Sequence, residues 1–160
     1  MVAVVAKLRT MRARVEAWSL EFDDRAVLER GLRKAYRRGQ RAMATVIAEP
    51  NADNFHEWRK HVNHLRHQLQ LLQTLRLGKA QPMLGRFKSL ADLLGLKNDL
   101  ALLTQRLPRD QVEPPLWLAV EQMIAARDQA YTEEAIGLGQ QLYDPPAKAL
   151  LRTLWPRDLR

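Results

Sequence analysis

Histidine, arginine and lysine crowd one short stretch of this chain. All four histidines fall at positions 56, 61, 64 and 67, and Arg59, Lys60 and Arg66 are interleaved with them. Three chemistries use such residues. A divalent metal could take Glu57, His61 and His64, which share a helix face at Glu-x3-His-x2-His spacing. Two or three ligands from one exposed helix rarely complete a coordination sphere, and the chain has no cysteine to add, so no metal and no cofactor are expected. A phosphoryl group could ride on His56 beside Lys60, one turn on, but the surrounding cations outnumber what one phosphoryl group requires. The third chemistry is non-covalent capture of phosphate. A guanidinium stays charged at any working pH and grips phosphate oxygens bidentately. No carboxylate pair lies near the basic stretch, Asp99 apart, and there is no Gly-rich phosphate loop, so catalysis is not expected.

Spacing arranges these residues into stripes. At about 100° per residue, His56, Arg59, Lys60, Asn63, His67 and Gln70 leave a helix on one side, with Arg66 flanking them. Upstream, Arg30, Arg33, Lys34, Arg37 and Arg41 recur at three- and four-residue intervals and form a second stripe. Residues 30–66 hold nine basic and three acidic residues, so most of the formal net charge of +8 sits in under a quarter of the chain. Two adjacent antiparallel helices striped in this way would form one basic groove for a long anion.

The elements that must carry the stripes are legible in the punctuation. Proline and glycine gather at 50–54, 78–82, 108–115 and 145–146, and the stretches between them are rich in Ala, Leu, Arg, Glu and Gln, which favour helix. The pattern predicts helices over 4–18, 24–48, 55–76, 83–106, 115–142 and 146–155. The fold class is therefore all-α, an antiparallel helical bundle of long helices with short connections, in a single domain over 1–160. Asn54 is the expected N-cap of the third helix, with Glu57 closing a capping box. Phe55, Trp58, Val62, Leu65, Leu69 and Leu72 supply its buried stripe. No apolar run approaches the roughly 18 residues of a membrane span. The apolar opening, Met1–Ala6, precedes rather than follows its basic residues, unlike a secretory leader. A cytoplasmic protein without membrane contact is expected.

At this point the residues carry a resemblance. Phe55-His-Glu-Trp-Arg-Lys-His-Val-Asn-His-Leu-Arg-His67 resembles the signature helix of the CHAD family, the conserved histidine α-helical domain. Gly31-Leu-Arg-Lys-Ala-Tyr-Arg-Arg-Gly-Gln-Arg-Ala-Met43 resembles the Arg-rich helix before it, and Leu93-Leu-Gly-Leu-Lys-Asn-Asp-Leu100 resembles the family's Leu-Gly…Asp-Leu turn. Leu142-Tyr143 and Trp155 resemble its last helices. The resemblance implies a helical bundle that binds inorganic polyphosphate without catalysis. Its signature positions fall on His56, Arg59, Lys60 and Arg66, and its basic helix on Arg33, Arg37 and Arg41. Asn63 stands where the family usually has Lys, and His67 where Tyr is common. Family members typically hold two His-bearing repeats, and this chain shows only the later one. That predicts a half-length domain, or a homodimer that completes the groove.

The expected polyphosphate-binding residues are Arg30, Arg33, Lys34, Arg37, Arg41, His56, Arg59, Lys60, Asn63, Arg66 and His67. Nucleic acid is the rival partner, because basic helices hold any phosphate backbone. Aromatic residues make up only 6% of the chain and fall mostly on apolar faces, which leaves few stacking platforms for single strands. The residues alone leave both partners open, and the resemblance favours polyphosphate.

Overall fold

In the computed structural model, residues 10–12 and 25–155 are described. Five α-helices follow one another: α1 (Arg25–Ala48), α2 (Ala52–Thr74), α3 (Gln81–Arg106), α4 (Pro114–Tyr143) and the short α5 (Ala147–Leu154). A 3-10 turn, Arg109–Gln111, lies between α3 and α4. No strand occurs among the described residues, so the fold is an all-α helical bundle. The expected helix over 4–18 lies outside the described residues except at 10–12, which are helical. The other expected helices appear with every end within three residues of the expected position.

Short connections force neighbours in sequence to be neighbours in space. α2 packs between α1 and α3, α4 packs on α3, and α1 closes the bundle against α5 and the end of α4. Prolines sit where their missing N–H costs nothing, at the starts of α3 and α4.

The expected apolar stripe of α2 is the centre of the core. Trp58, Val62, Leu65 and Leu69 are fully buried, and Phe55 and Leu72 nearly so. Tyr36, Phe87 and Tyr143 join them as a cluster of tilted and edge-on rings. Two glycines admit these large side chains. A Cβ on Gly139 would lie 2.6 Å from the Trp58 ring and 2.8 Å from Met43 Sδ, and one on Gly39 would collide with the Tyr143 hydroxyl. Each glycine lets a neighbouring helix approach an aromatic ring that no larger residue could accommodate.

α2 starts three residues earlier than expected. Asn51, in extended backbone after Pro50, is the N-cap, and its Oδ1 accepts from the Asn54 N–H at 2.9 Å. Asn54, the expected cap, instead donates its side-chain amide to Glu49 O at 2.8 Å, which ties α2 back to the end of α1. Glu57 does not close a capping box and pairs with Lys60 Nζ at 2.6 Å. The segment Leu93–Leu100, which resembles a family turn motif, is continuous helix inside α3, in keeping with the helix expected over 83–106. Gly95 interrupts nothing there, because backbone hydrogen bonding and the buried Leu93, Leu94 and Lys97 hold the helix through it.

Candidate phosphate-binding surface

The basic side chains divide between two seams and the outer faces of α1 and α2. Along the α1–α2 seam, Arg38, Arg41, Thr45, Asn54, Glu57 and His61 line a hollow of about 330 Å³. It adjoins a second of about 170 Å³, lined by Lys34, Arg38, His61, His64 and Gln68 among others. Arg38 and His61 belong to both, so the two hollows form one shallow trough. Of the expected site residues, only Lys34 and Arg41 line it. Arg38, His61 and His64 were not expected there. Lys34, Arg38 and Arg41 follow one another at four- and three-residue spacing, a signal that could have shown the row. Arg38 leaves the helix well to one side of Arg33 and Arg37, and so stood outside the expected stripe.

The side of α2 turned to α3 takes His56, Arg59 and Arg66 of the four signature residues. His56 Nδ1 lies 3.3 Å from Asn98 Oδ1. Arg59 is half-buried beside Gly95, and its Nε is buried without a partner. Arg66 Nε donates to Asn63 Oδ1 at 3.3 Å, and its Nη2 lies 2.8 Å from His67 Nε2. Asn63, which replaces a cation of the family pattern, thus holds the Arg66 guanidinium across the helix face.

Arg30, Arg33 and Arg37 are exposed on the outer face of α1. Lys60 and His67 are exposed on the outer face of α2, between the two seams. The expected single groove between α1 and α2 is therefore, in this structure, a basic belt that runs from the outer face of α1 over α2 to α3.

Electrostatics distinguish the members of the belt. The His61 pKa is lowered from its usual 6.5, first by burial and then by the neighbouring Arg38, His64 and Lys60, with Glu57 opposing. The Glu57 carboxyl is held below its usual range by its hydrogen bond to Lys60. Lys97 is a cation outside the belt. It is only 7% exposed, its Nζ sits 2.5 Å from Asp128 Oδ1, and it stacks 4.3 Å from the centre of the Phe55 ring. It joins α3 to α4 and is already neutralised. Asp99, the one acidic group expected near the basic face, is exposed on α3. Among the described residues no cluster of three His, Asp or Glu side chains is placed to hold a metal ion. No described helix is long and apolar enough to cross a membrane.

Comparison with known proteins gives one match. The family model of the CHAD domain covers residues 3–108, about two thirds of the chain, including α1, α2 and α3. Leu142, Tyr143 and Trp155, which also resembled the family, lie beyond the matched residues. No curated protein and no solved structure matches the chain. The signature histidine, the arginine rows on α1 and α2 and the family model agree: this chain belongs to the CHAD domain family.

Proposed function

We propose that this protein binds inorganic polyphosphate, without turnover, along the basic belt of α1 and α2. The observation that carries the proposal is the belt itself. Nine Lys and Arg residues against three acidic ones lie between positions 30 and 66, and Arg30, Arg33, Lys34, Arg37, Arg38, Arg41 and Lys60 are exposed. Polyphosphate is narrow, flexible and charged at every unit, so it can follow such a belt around a small bundle. Arg59, Lys60 and Arg66 supply charge on α2, and His56 supplies a directed hydrogen bond. Binding is driven by charge pairing and counterion release. Membership of the CHAD family, which is associated with polyphosphate, supports this reading.

Nucleic acid is the competing polyanion. Every aromatic side chain among the described residues is at least half-buried, which leaves no stacking platform for bases there. The whole chain is proposed to act as one module, and its lack of cysteine suits a reducing compartment such as the cytoplasm.

Competition between long-chain polyphosphate and duplex DNA at physiological salt tests the proposal. Polyphosphate should displace DNA at far lower phosphate concentration, whereas preferential retention of DNA would reject it. Replacing Arg59, Lys60 and Arg66 by Ala should weaken polyphosphate binding and lower the log K against log salt slope by about 2–3. Unchanged affinity in that triple variant would remove α2 from the site.

A further inference from the structure

The seam between α2 and α3 continues past His56 into a hollow that the basic belt does not use. It measures about 260 Å³ and lies between the first turn of α2 and the second half of α3. The two helices run antiparallel, so His56 stands opposite Asn98 and Arg59 opposite Gly95. Beyond the His56–Asn98 contact, on the side away from Arg59, α2 supplies Asn51 and Asp53, and α3 supplies Ala101, Leu102 and Gln105. The buried Phe55 and Leu94 form the floor.

The chemistry of this hollow differs from that of the belt. Lys97 and Asp128 both line it and neutralise each other, and the exposed Asp53 adds a negative charge at the rim. A phosphate group gains nothing there, whereas an uncharged group with a hydrogen-bonding edge does. The Lys97 ammonium has three N–H groups and gives one to Asp128. Asn98 Oδ1 faces His56, which leaves the N–H groups of that amide to donate. Asp53 accepts, and the exposed Gln105 amide does both. The rest of the wall is apolar, from Leu94, Ala101 and Leu102, and Leu102 leaves 42% of its surface exposed. A sugar carries hydroxyls on every side and would press some of them, unpaired, against these apolar groups. A nucleobase carries its donors and acceptors on its edge and is apolar on both faces, so it suits both kinds of wall.

We propose that the hollow takes the base of a nucleoside triphosphate, whose phosphates pass over His56 to Arg59. Size agrees. The volume falls slightly under the roughly 300–1,000 Å³ of pockets that enclose a whole small molecule, so the base enters and the ribose and phosphates lie outside, along the seam. From the level of Gln105 to that of Gly95 the seam runs about 15 Å, a span for a base, a ribose and three phosphates in line. Arg59 closes the far end, with its Nε buried and without a partner. The seat of the tail rests on the reading of His56 and Arg59 as phosphate-binding residues, and the seat of the base does not. Duplex DNA keeps its bases paired and cannot use the hollow, so its contest with polyphosphate is unaffected.

Calorimetric titration of the full chain with ATP, GTP, CTP and UTP, each set against inorganic tripolyphosphate without divalent cations, tests the proposal. Charge alone ranks tripolyphosphate first, because esterification removes one ionisable oxygen. The expected order is the reverse, with at least one nucleotide binding about tenfold or more tighter than tripolyphosphate. Ala101→Phe fills the hollow and should abolish that preference. Gln105→Ala removes a contact to the edge of the base and should weaken the preference severalfold. Both variants should keep the far-UV dichroism and the tripolyphosphate and long-chain polyphosphate binding of the parent. Tripolyphosphate binding as tightly as every nucleotide, a preference that survives Ala101→Phe, or one unchanged in Gln105→Ala would each overturn the proposal. Long-chain polyphosphate is read separately. A nucleotide preference without polyphosphate binding would reject the polyphosphate reading alone, and polyphosphate binding without a nucleotide preference would reject the base site alone.

Discussion

His61 shows how a single side chain can join the belt to pH. Burial and the nearby cations hold its pKa below the usual 6.5, so the folded chain takes up its proton less readily than the unfolded chain does. The stability this group contributes is present above pH 6.5 and is lost as pH falls through that value towards the lower folded pKa. A bound polyanion reverses the balance, because it favours the charged ring. Polyphosphate affinity should therefore rise severalfold between about pH 7.5 and 5.5, and the rise should be smaller in His61→Gln. Equal pH dependence in the two proteins, measured by competition binding, would show that His61 takes no part. The glycines under the aromatic cluster make a steric prediction of the same kind. Gly139→Ala pushes a methyl against Trp58 and Met43, both on packed helices, and should cost about 1–3 kcal/mol in urea unfolding.

At the level of the helix, ends are decided by single residues. α2 closes with a Schellman turn, in which Leu77 N–H bonds to Leu72 O and Arg76 N–H to Gln73 O. That turn holds Arg76 at φ 55°, the left-handed region that glycine usually occupies. Arg76→Gly should stabilise the protein by about 1 kcal/mol, visible as a higher midpoint in thermal melting. Asn51→Ala should cost a similar amount through loss of the N-cap. The cap also marks where sequence reading stopped short. Asn51 and Asn54 both lie within reach of the first turn, and only the route of the chain out of α1 decides that Asn54 bonds back to Glu49. The apolar stripe of α2 was readable because burial demands its period. The partners of the polar stripe were not, since His56 and His61 each fit a helix surface and only the packed neighbours distinguish the α3 side from the α1 side.

Across the whole molecule, charge is segregated. Residues 30–66 carry the positive excess, whereas the stretch from the end of α3 to the start of α4 carries both signs, with Asp99, Glu113 and Glu121 set against Arg106 and Arg109. Arg109 reaches Glu121 at 3.3 Å, an exposed pair that fixes orientation more than it adds stability.

The tie between α1 and the end of α4 is the Tyr36 hydroxyl, whose one proton is shared between Leu142 O at 2.8 Å and Pro145 O at 2.5 Å. Its pKa is pushed up to about 12 by burial and by Asp144, so it remains a donor over the whole working range. Tyr36→Phe would leave those carbonyls without it and should cost about 1–3 kcal/mol. The two residues bonded to Tyr36 lie 106 and 109 positions downstream. During synthesis, α1 leaves the ribosome long before its final partners exist. α1, α2 and α3 can associate early through near-neighbour packing, but the carbonyls that Tyr36 bonds arrive only with the end of α4. A chain cut short of Leu142 would leave the Tyr36 hydroxyl without either of its carbonyl acceptors.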